Sequence, residues 1–436
     1  MMPYISMAII LALIARLTIF VRQRSATEFT HIDRLAAIQI GLIALSCILF
    51  IAFPRRQEMW KRLSRTSGIM LVMYYVVAGL SAAWSPLPIY TLFRAAEYLS
   101  QALLAFSIVH YCTDFSEAER RVLLLAIIAA LFGAGMVAKF NGFALSWSQW
   151  HTNHYTASAA MIFCYCLGEL LTQSKERKKW LRRYGCGALG LLLLGTSTAS
   201  FLAVGAGSAV AILLSKRGRS LLVPLLMIIF VTSGLVMFAR ATPVFPSWIA
   251  LGQQLKILSP NHSEQIVFSF HGRSMLWELY AQEILNSPIF GHGFAVSSRL
   301  ASFYSNNTHN GLFAVALGTG AIGLLIVLWG AYRYTCETAS SGYIDAPGAI
   351  GCTAALTAAC VNNMSISFIG ENWRAPSLLF ILFLSLHLFF VLKPGGLPIS
   401  RPRPFFSPLV PLAGRSNMRA KARLHPLVVR RHGILR

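Results

Sequence analysis

Charged residues are scarce in this chain. They make up 12% of its 436 residues, whereas an average soluble domain carries roughly 25%. Hydrophobic residues make up 56%, and they recur in runs of about 20 residues, the length at which a helix spans a bilayer. The shortage of charge therefore excludes an ordinary soluble domain. It predicts an all-α, polytopic membrane helix bundle.

Acidic residues are scarcer than basic ones, with 15 Asp and Glu against 38 Lys and Arg, giving a net charge of +23. The basic residues lie in short links between apolar runs, and no basic face alternates with aromatic residues to follow a phosphate backbone. Short basic links mark the cytoplasmic side of membrane proteins. We therefore expect contact with membrane lipids and no binding of nucleic acid.

Several motifs of metal and hydrolytic chemistry are also missing. The predicted outer segments contain no D-x-D pair, so binding of a diphosphate through Mg²⁺ is not expected. Neither H-E-x-x-H nor G-x-S-x-G occurs. None of the eight cysteines lies in the long polar loop, and Cys164-x-Cys166 has the wrong spacing for a zinc pair. The sequence therefore predicts no metal site, no cofactor and no disulfide framework.

The apolar runs and basic links predict about twelve transmembrane helices with both chain ends in the cytoplasm. The run over residues 185–215 is too long for one untilted span, and polar residues at 196–200 break it into two short spans. Residues 1–392 then form the transmembrane domain, with 239–310 as its main periplasmic loop. Residues 393–436 are rich in arginine and proline and are predicted to be a disordered cytoplasmic tail near anionic lipids.

The second half of the long loop is predicted to contain a helix outside the membrane spans. Residues 272–287 predict a helix of about four turns, ended by Asn286-Ser287-Pro288. Arg273 lies in its first turn, where a guanidinium group and helix N–H donors together suit a phosphate or diphosphate. An arginine at this place is equally compatible with pairing to Glu278 or capping the bundle.

Ionisable residues also stand at the entries of two predicted spans, which makes them functional candidates. His309 directly precedes a span that begins at Gly311, and the positive end of a helix favours a neutral imidazole able to act as a base. An interfacial polar residue without catalytic role is the alternative. Arg94 and Glu97 lie in the first two turns of another span. Residues 291–293 predict a flexible turn, and because no strand precedes them a nucleotide-binding loop is excluded.

One set of motifs resembles a known family. The motifs are Arg273-x-x-x-Trp277, Ser287-Pro288-Ile289-Phe290-Gly291-His292-Gly293, Thr308-His309-Asn310-Gly311, Gly318-x-Gly320 with Gly323, Trp84-Ser85-Pro86 followed by Arg94, and Asn153 ahead of a span. Together they resemble the O-antigen ligase and polysaccharide polymerase family of bacterial envelopes.

The resemblance implies a GT-C-like membrane glycosyltransferase that is metal-independent and inverting. It would take a glycan from undecaprenyl diphosphate at the periplasmic face of the bacterial inner membrane. The acceptor would be lipid A core or a growing glycan, in lipopolysaccharide or exopolysaccharide biosynthesis. His309 would be the catalytic base, and Arg273 and Arg94 would hold the diphosphate. The supporting residues implied are Asn310, Asn153, Trp277 and Gly293.

The chain departs from the family pattern at one place. Many members carry an arginine at the turn between the two short spans, where this chain has Ser197-Thr198-Ala199. The second phosphate contact then has to come from elsewhere, and Arg94 and Arg240 are the candidates.

Three alternatives remain open at this level. Ligase and polymerase differ only in their acceptor. A transporter or flippase suits twelve spans, but transporters favour internal repeats and substrate groups at mid-membrane, whereas the ionisable groups here gather at one face. A non-catalytic assembly protein would tolerate the loss of His309.

Overall fold

The computed structural model describes residues 2–18, 34–54, 56–140, 153–172, 178–195, 197–215, 273–296, 308–339, 346–365, 367–370 and 375–389. Within these ranges every regular element is helical, which confirms the all-α prediction. The helices are α1 (Met2–Thr18), α2 (Arg34–Ile51), α3 (Arg56–Leu63), α4 (Gly68–Leu80), α5 (Pro88–Tyr111), α6 (Phe115–Phe140), α7 (Asn153–Thr172), α8 (Lys178–Gly195), α9 (Thr198–Leu214), α10 (Arg273–Asn286), α11 (Gly311–Ala339), α12 (Ala349–Asn363) and α13 (Ala375–His387). A short 3-10 helix, Ser81–Ala83, follows α4.

Part of this bundle is long and apolar enough to cross a membrane. In the described part of the chain, three segments qualify by length and composition: Pro88–Tyr111, Tyr155–Thr172 and Gly311–Ala339. The number rises to four if α2 and α3, which meet at a bend of 94°, form one broken span. The total of twelve spans remains a prediction, because other predicted spans appear as shorter apolar helices and residues 221–238 lie outside the described ranges.

The predicted division of the apolar run 185–215 is confirmed. Helix α8 ends at Gly195, and α9 begins at Thr198. Ser197 stands between them as the N-cap of α9, and its hydroxyl oxygen accepts a hydrogen bond from the Ser200 N–H at 3.4 Å. A serine at this position satisfies one of the N–H groups that every helix leaves unpaired at its start.

Two groups of helices make up the bundle. Helix α7 packs against α8, α9 and α12, and small residues let these helices approach closely. A Cβ on Gly168 of α7 would lie only 2.8 Å from the Gly351 Cα of α12. Helix α4 packs between α5 and α11 in the second group, and α13 joins the groups through contacts with α5, α6, α7 and α12.

At one end of the bundle, polar contacts connect the ends of α7, α9, α11 and α12. Gly311 at the start of α11 lies against Asn363 at the end of α12. Ser197, the cap of α9, bonds to Asn153 at the start of α7. We call this region the histidine end, because His309 immediately precedes α11.

A buried carboxylate connects α4, α11 and α13 at the end of the bundle away from His309. Glu337 near the end of α11 accepts hydrogen bonds from the Ser67 N–H at 2.5 Å and the Ser67 hydroxyl at 2.7 Å. Its second oxygen lies 3.8 Å from Nε2 of His387, the last residue of α13. Glu337 therefore connects the end of α11 to the start of α4 and the end of α13. We call this region the glutamate end.

A second carboxylate at the glutamate end supports the start of α12. Glu169 of α7 accepts hydrogen bonds from the Gly348 N–H at 3.2 Å and the Gly351 N–H at 3.3 Å. Negative charge at a helix N-terminus is stabilising, because it satisfies unpaired N–H groups and opposes the helix dipole. Sequence analysis did not single out this residue, since a lone Glu in an apolar run reveals no partner.

Candidate functional site

His309 stands at the entry of α11 in an unusual backbone conformation. Its φ is 53°, in the left-handed region that non-glycine residues rarely occupy. Such a conformation costs on the order of 1–3 kcal/mol and tends to occur at functional sites when its surroundings enforce it. The side chain is partly buried. The structure therefore places the predicted base at a helix N-terminus, as the sequence indicated.

The residues on either side of His309 fix this entry. The Thr308 hydroxyl donates to the carbonyl oxygen of Asn310 at 3.0 Å. Oδ1 of Asn310 accepts hydrogen bonds from the Leu312 N–H at 2.9 Å and the Phe313 N–H at 3.4 Å. Asn310 is thus the cap of α11. This cap starts the helix that directly follows His309 and Asn310.

Helix α11 is broken inside its apolar run. Gly320 has φ 62° and ψ −158°, a conformation available only to glycine without large strain. The N–H of Ala321 donates to the carbonyl oxygen of Pro288 at 2.8 Å instead of to its own helix. A Cβ on Gly320 would lie 2.2 Å from the Ile289 carbonyl oxygen. The break therefore serves to accept another segment of backbone.

That segment is residues 287–296, here called the inserted loop. The His292 N–H donates to the Leu317 carbonyl at 2.8 Å, and the Gly293 N–H donates to the Gly318 carbonyl at 2.9 Å. Gly291 has φ 68°, and a Cβ there would lie 2.7 Å from the Leu317 oxygen. The sequence predicted a flexible turn at residues 291–293. The structure corrects this prediction, because the turn is hydrogen-bonded along the broken helix.

Residues around the Trp84-Ser85-Pro86 motif hold the inserted loop from the other side. The Trp84 indole N–H donates to the Phe290 carbonyl at 3.1 Å. The Phe294 N–H donates to the Ser81 hydroxyl at 2.9 Å, and the Thr91 hydroxyl donates to the Phe294 carbonyl at 3.1 Å. Backbone that leaves regular structure within a membrane bundle needs such partners. This motif is therefore an anchor for the loop.

Gly293, a predicted supporting residue, lies where the inserted loop closely approaches the segment that follows α4. Its φ is 103°, and a Cβ would lie 2.4 Å from the Ser85 hydroxyl oxygen. The neighbouring Phe294 is buried, with ring centroids 5.6 Å from Tyr98 and 6.1 Å from Tyr74. Gly293 thus supports the site by letting the loop pass between α11 and the segment after α4.

Helix α10 is bound to the entry of α11 through an aromatic pair. It runs from Arg273 to Asn286, close to the predicted residues 272–287. Trp277 stacks on Phe313 with ring centroids 6.1 Å apart and an interplanar angle of 14°. Arg273 lies one helical turn before Trp277 on α10. The Arg273 side chain lies outside the described part, and its phosphate contact stays a prediction.

His292 contacts α10 near its C-terminal end. Its Nε2 lies 3.0 Å from the Glu283 carbonyl oxygen and 3.6 Å from Oε1 of the same residue. The His292 ring therefore connects the inserted loop to α10. These contacts give His292 a structural role.

Arg94, the second predicted diphosphate ligand, already has protein partners. Its Nη1 lies 2.8 Å from Oε2 of Glu97, and its Nε donates to the Tyr90 hydroxyl at 2.9 Å. Glu97 is buried, with a side-chain exposure of 4%. An arginine offers five N–H donors, so these two bonds leave others for a ligand. The ion pair with Glu97 compensates the positive charge of Arg94, however. Arg94 is therefore a weaker substitute for the missing arginine.

A network of uncharged polar residues occupies the turn where the arginine is missing. The Ser197 hydroxyl donates to Oδ1 of Asn153 at 2.5 Å. The Ser200 hydroxyl lies 2.9 Å from the Thr156 hydroxyl and 3.3 Å from Oδ1 of Asn362. Asn153, predicted as a supporting residue, thereby joins α7 to α9, and Asn362 extends the network to α12. Arg240, the other proposed replacement, lies outside the described residues.

Sequence analysis missed Asn362 and Asn363, which end α12 at the histidine end. Both are buried, with exposures of 0% and 6%. The missed signal was a pair of polar residues inside an apolar run, since buried polar groups in a span are retained for a partner or a function.

These features are those of a helical membrane protein. The described chain is an all-helical bundle with segments of membrane-spanning length. The predicted site residues that can be placed gather at the histidine end, around a broken helix and a capped, strained histidine.

The family follows from comparison with known proteins. Residues 186–328 match the family model described as O-Antigen ligase, a stretch that includes α10, the inserted loop and the first part of α11. This match covers about a third of the chain, and it confirms the resemblance to the O-antigen ligase family seen in the motifs. No curated protein matches the chain. The family match supports a membrane-bound ligase or polymerase of O-antigen or related polysaccharide.

Proposed function

We propose that this protein transfers a glycan from an undecaprenyl diphosphate donor to an acceptor hydroxyl at the periplasmic face of the inner membrane. The observation that carries the proposal is His309, held at φ 53° directly before the capped N-terminus of α11. A general base must be positioned rigidly at the proton it removes. The contacts of Thr308 and Asn310 supply that rigidity.

In the proposed step, the His309 imidazole takes the proton of the acceptor hydroxyl. The acceptor oxygen then forms a bond to the anomeric carbon of the donor glycan from the face opposite the diphosphate. The bond between that carbon and the diphosphate oxygen breaks, and undecaprenyl diphosphate leaves with the electron pair. Arg273, and to a lesser extent the paired Arg94, stabilise the leaving charge, so no metal ion is required.

The description of the matched family favours ligation, with lipid A core as the acceptor. A polymerase would use the same step with a repeat unit as the acceptor. The clustering of placed site residues at one end of the bundle supports a transferase over a transporter, which needs groups along a path through the membrane.

The deciding experiment uses purified protein in lipid nanodiscs with an undecaprenyl diphosphate-linked glycan. Lipid A core and a second lipid-linked repeat unit are offered as separate acceptors, and products are identified by mass spectrometry. Wild-type protein is expected to transfer to one of them, and His309→Ala to lose about 10² to 10⁴ in rate. Transfer at the wild-type rate by His309→Ala would overturn the base assignment, and no transfer by wild type would overturn the function.

The orientation is tested separately in cells. Single cysteines are placed at Ser263 and at Lys178 in a chain whose eight native cysteines are replaced by serine. A membrane-impermeant maleimide is expected to label the first position from outside and not the second, because the basic links set the orientation. The opposite pattern would place the site on the wrong side.

A further inference from the structure

Asn363 is the last residue of α12, and its side chain lies against the entry of α11. A Cβ built on Gly311 would be 1.9 Å from Nδ2 and 2.3 Å from Cγ of Asn363. The amide therefore occupies the space that any side chain at residue 311 would need. Only glycine at this position lets the two helices meet.

The same amide organises the turn that follows α12. Its Oδ1 accepts hydrogen bonds from the Phe368 N–H at 3.1 Å and the Ile369 N–H at 3.3 Å. The next residue, Gly370, lies so close to α11 that a Cβ would be 2.9 Å from the Cβ of Ala314. Asn363 thus fixes a turn that presses on the first turn of α11.

This turn is also connected to the helix that carries Arg94. The Phe368 carbonyl accepts hydrogen bonds from the Ser377 hydroxyl at 2.7 Å and from the Tyr98 hydroxyl at 3.4 Å. Tyr98 lies one helical turn after Arg94 on α5. The Asn363 amide therefore connects the entry of α11, next to His309, with the part of α5 that carries Arg94, a predicted diphosphate ligand.

The strained backbone of His309 needs such a junction. A left-handed histidine relaxes unless neighbouring contacts enforce it, and Gly311, two residues away, is held directly by Asn363. Removing the amide would leave a gap beside Gly311 and two unpaired N–H groups in the turn. The entry of α11 would then be free to shift, and His309 with it.

We infer that Asn363 is a positioning residue of the transfer reaction. Its Oδ1 and its contact with Gly311 set the backbone of the α11 entry and so aim the His309 imidazole at the acceptor oxygen. This inference rests on the proposed function. Misplacing a catalytic group by about 1 Å can cost about 10²-fold in rate, so we expect a loss of that size in kcat with a much smaller change in KM.

The test compares three variants in the nanodisc transfer assay. Asn363→Ala removes both the Oδ1 bonds and the contact with Gly311. Asn363→Asp keeps an oxygen for the Phe368 and Ile369 N–H groups in a side chain of the same shape. The matched control is Asn286→Ala, which makes the same substitution at the exposed last residue of α10, where the amide donates to Oε2 of Glu283 at 3.0 Å.

We expect Asn363→Ala to lose about 10²-fold in kcat, Asn363→Asp to recover at least a tenth of wild-type kcat, and Asn286→Ala to keep wild-type kcat. The assay is run at about pH 8.5, well above the ordinary pKa of histidine, so that the added carboxylate does not act through protonation of His309. Thermal unfolding of each variant in detergent separates folding from positioning, because a purely structural loss would lower the fraction folded and leave the kcat of the folded fraction intact.

The outcomes separate this inference from the proposed function. Wild-type transfer together with an unchanged kcat in Asn363→Ala would overturn the positioning role and leave the function standing. An Asn363→Asp protein as impaired as Asn363→Ala would also overturn it, because the acceptor bonds would then not be what matters. Absence of transfer by wild type would overturn both.

Discussion

Trp277 and Phe313 stack face to face, with ring centroids 6.1 Å apart and planes inclined by 14°. The pair joins the first half of α10 to the first turn of α11. Arg273 lies one turn from Trp277, and His309 lies four residues before Phe313, so both predicted catalytic groups depend on this contact for their spacing. A base and a leaving-group ligand must flank one anomeric carbon, and the stacked pair is one of the contacts that hold α10 against α11.

Trp277→Ala is therefore expected to lower transfer by about 10- to 10²-fold, because it removes a contact between the two helices without changing Arg273 or His309. The measurement is kcat and KM of the purified variant in nanodiscs. Trp329→Ala is the matched control, since Trp329 lies on α11, is 55% exposed and has its ring centroid 5.3 Å from that of Tyr332 on the same helix. Equal losses in both variants would contradict a specific role for the Trp277–Phe313 contact.

Replacing Gly320 is expected to disrupt the insertion of loop 287–296. A Cβ in Gly320→Ala would lie 2.2 Å from the Ile289 carbonyl oxygen, and alanine does not adopt φ 62° with ψ −158° without strain. We expect a destabilisation of about 3 kcal/mol or more, read as a lower midpoint of thermal unfolding in detergent.

Gly135→Ala provides the contrast for this experiment. Gly135 lies inside α6, and a Cβ there meets nothing within 4 Å. The substitution should be neutral or stabilising by up to about 1 kcal/mol, because alanine is the better helix former. If Gly320→Ala unfolds at the same temperature as Gly135→Ala, the break in α11 is not needed for folding.

Glu117 gives a pH dependence of stability with a definite sign. Partial burial raises the pKa of Glu117, but hydrogen bonds from the Thr113 N–H and hydroxyl and the charge of Arg121 outweigh it, so the pKa of Glu117 is lowered. The two hydrogen bonds measure 2.8 and 3.0 Å. The residue stands in the first turn of α6, ahead of the apolar residues predicted to enter the membrane.

A lowered folded-state pKa means that the ionised form stabilises the fold. This contribution is fully present above the unfolded pKa of glutamate, about 4.3, and is lost as the pH falls through the lower folded pKa. Wild-type protein should therefore unfold at a higher temperature than Glu117→Gln at pH 7, with the difference closing toward pH 3. A difference that grows on acidification would contradict the assignment.

Sequence patterns predicted some parts of this structure well for a physical reason. The ends of α10 were placed at residues 272 and 287 and are observed at Arg273 and Asn286, because Ser287-Pro288 stops a helix locally. The break before α9 was likewise marked by polar residues, and His309 was placed at a helix entry by the switch from polar to apolar sequence. These are local signals, and they need no knowledge of the fold.

The remainder depends on contacts distant in sequence. Residues 291–293 read as flexible because their hydrogen-bond partners, Leu317 and Gly318, lie in another segment. Asn363 and Glu337 were missed because each contacts a segment distant in sequence, Gly311 for Asn363 and Ser67 for Glu337. The glycines of α11 were recognised as part of a motif, but their purpose becomes evident only when the inserted loop is seen beside them.

Arg273→Lys is expected to fail in transfer despite keeping the positive charge. A lysine is a point charge and cannot present two parallel N–H donors to a diphosphate, so a loss of about 10-fold or more in kcat/KM is expected. Arg120→Lys near the start of α6 is the control, since Arg120 is exposed and its Nε donates to the Ser116 carbonyl at 3.2 Å. Full activity of Arg273→Lys would favour its alternative role as a cap of the bundle, and loss of wild-type activity in EDTA would contradict a metal-independent mechanism.

The pH profile of transfer gives the most direct test of His309 as the base. Only a neutral imidazole can take the acceptor proton, so the rate should rise through a step near the ordinary pKa of histidine, about 6.5, and level off above it. In His309→Ala the residual rate, lower by about 10² to 10⁴, should lack this step, because no group of that pKa remains in the proton transfer. His292→Ala should keep the step even if the protein becomes less stable, since the His292 ring lies against Glu283 and connects the inserted loop to α10. A step that persists in His309→Ala and disappears in His292→Ala would move the base to the inserted loop and would reverse the assignment of the two histidines.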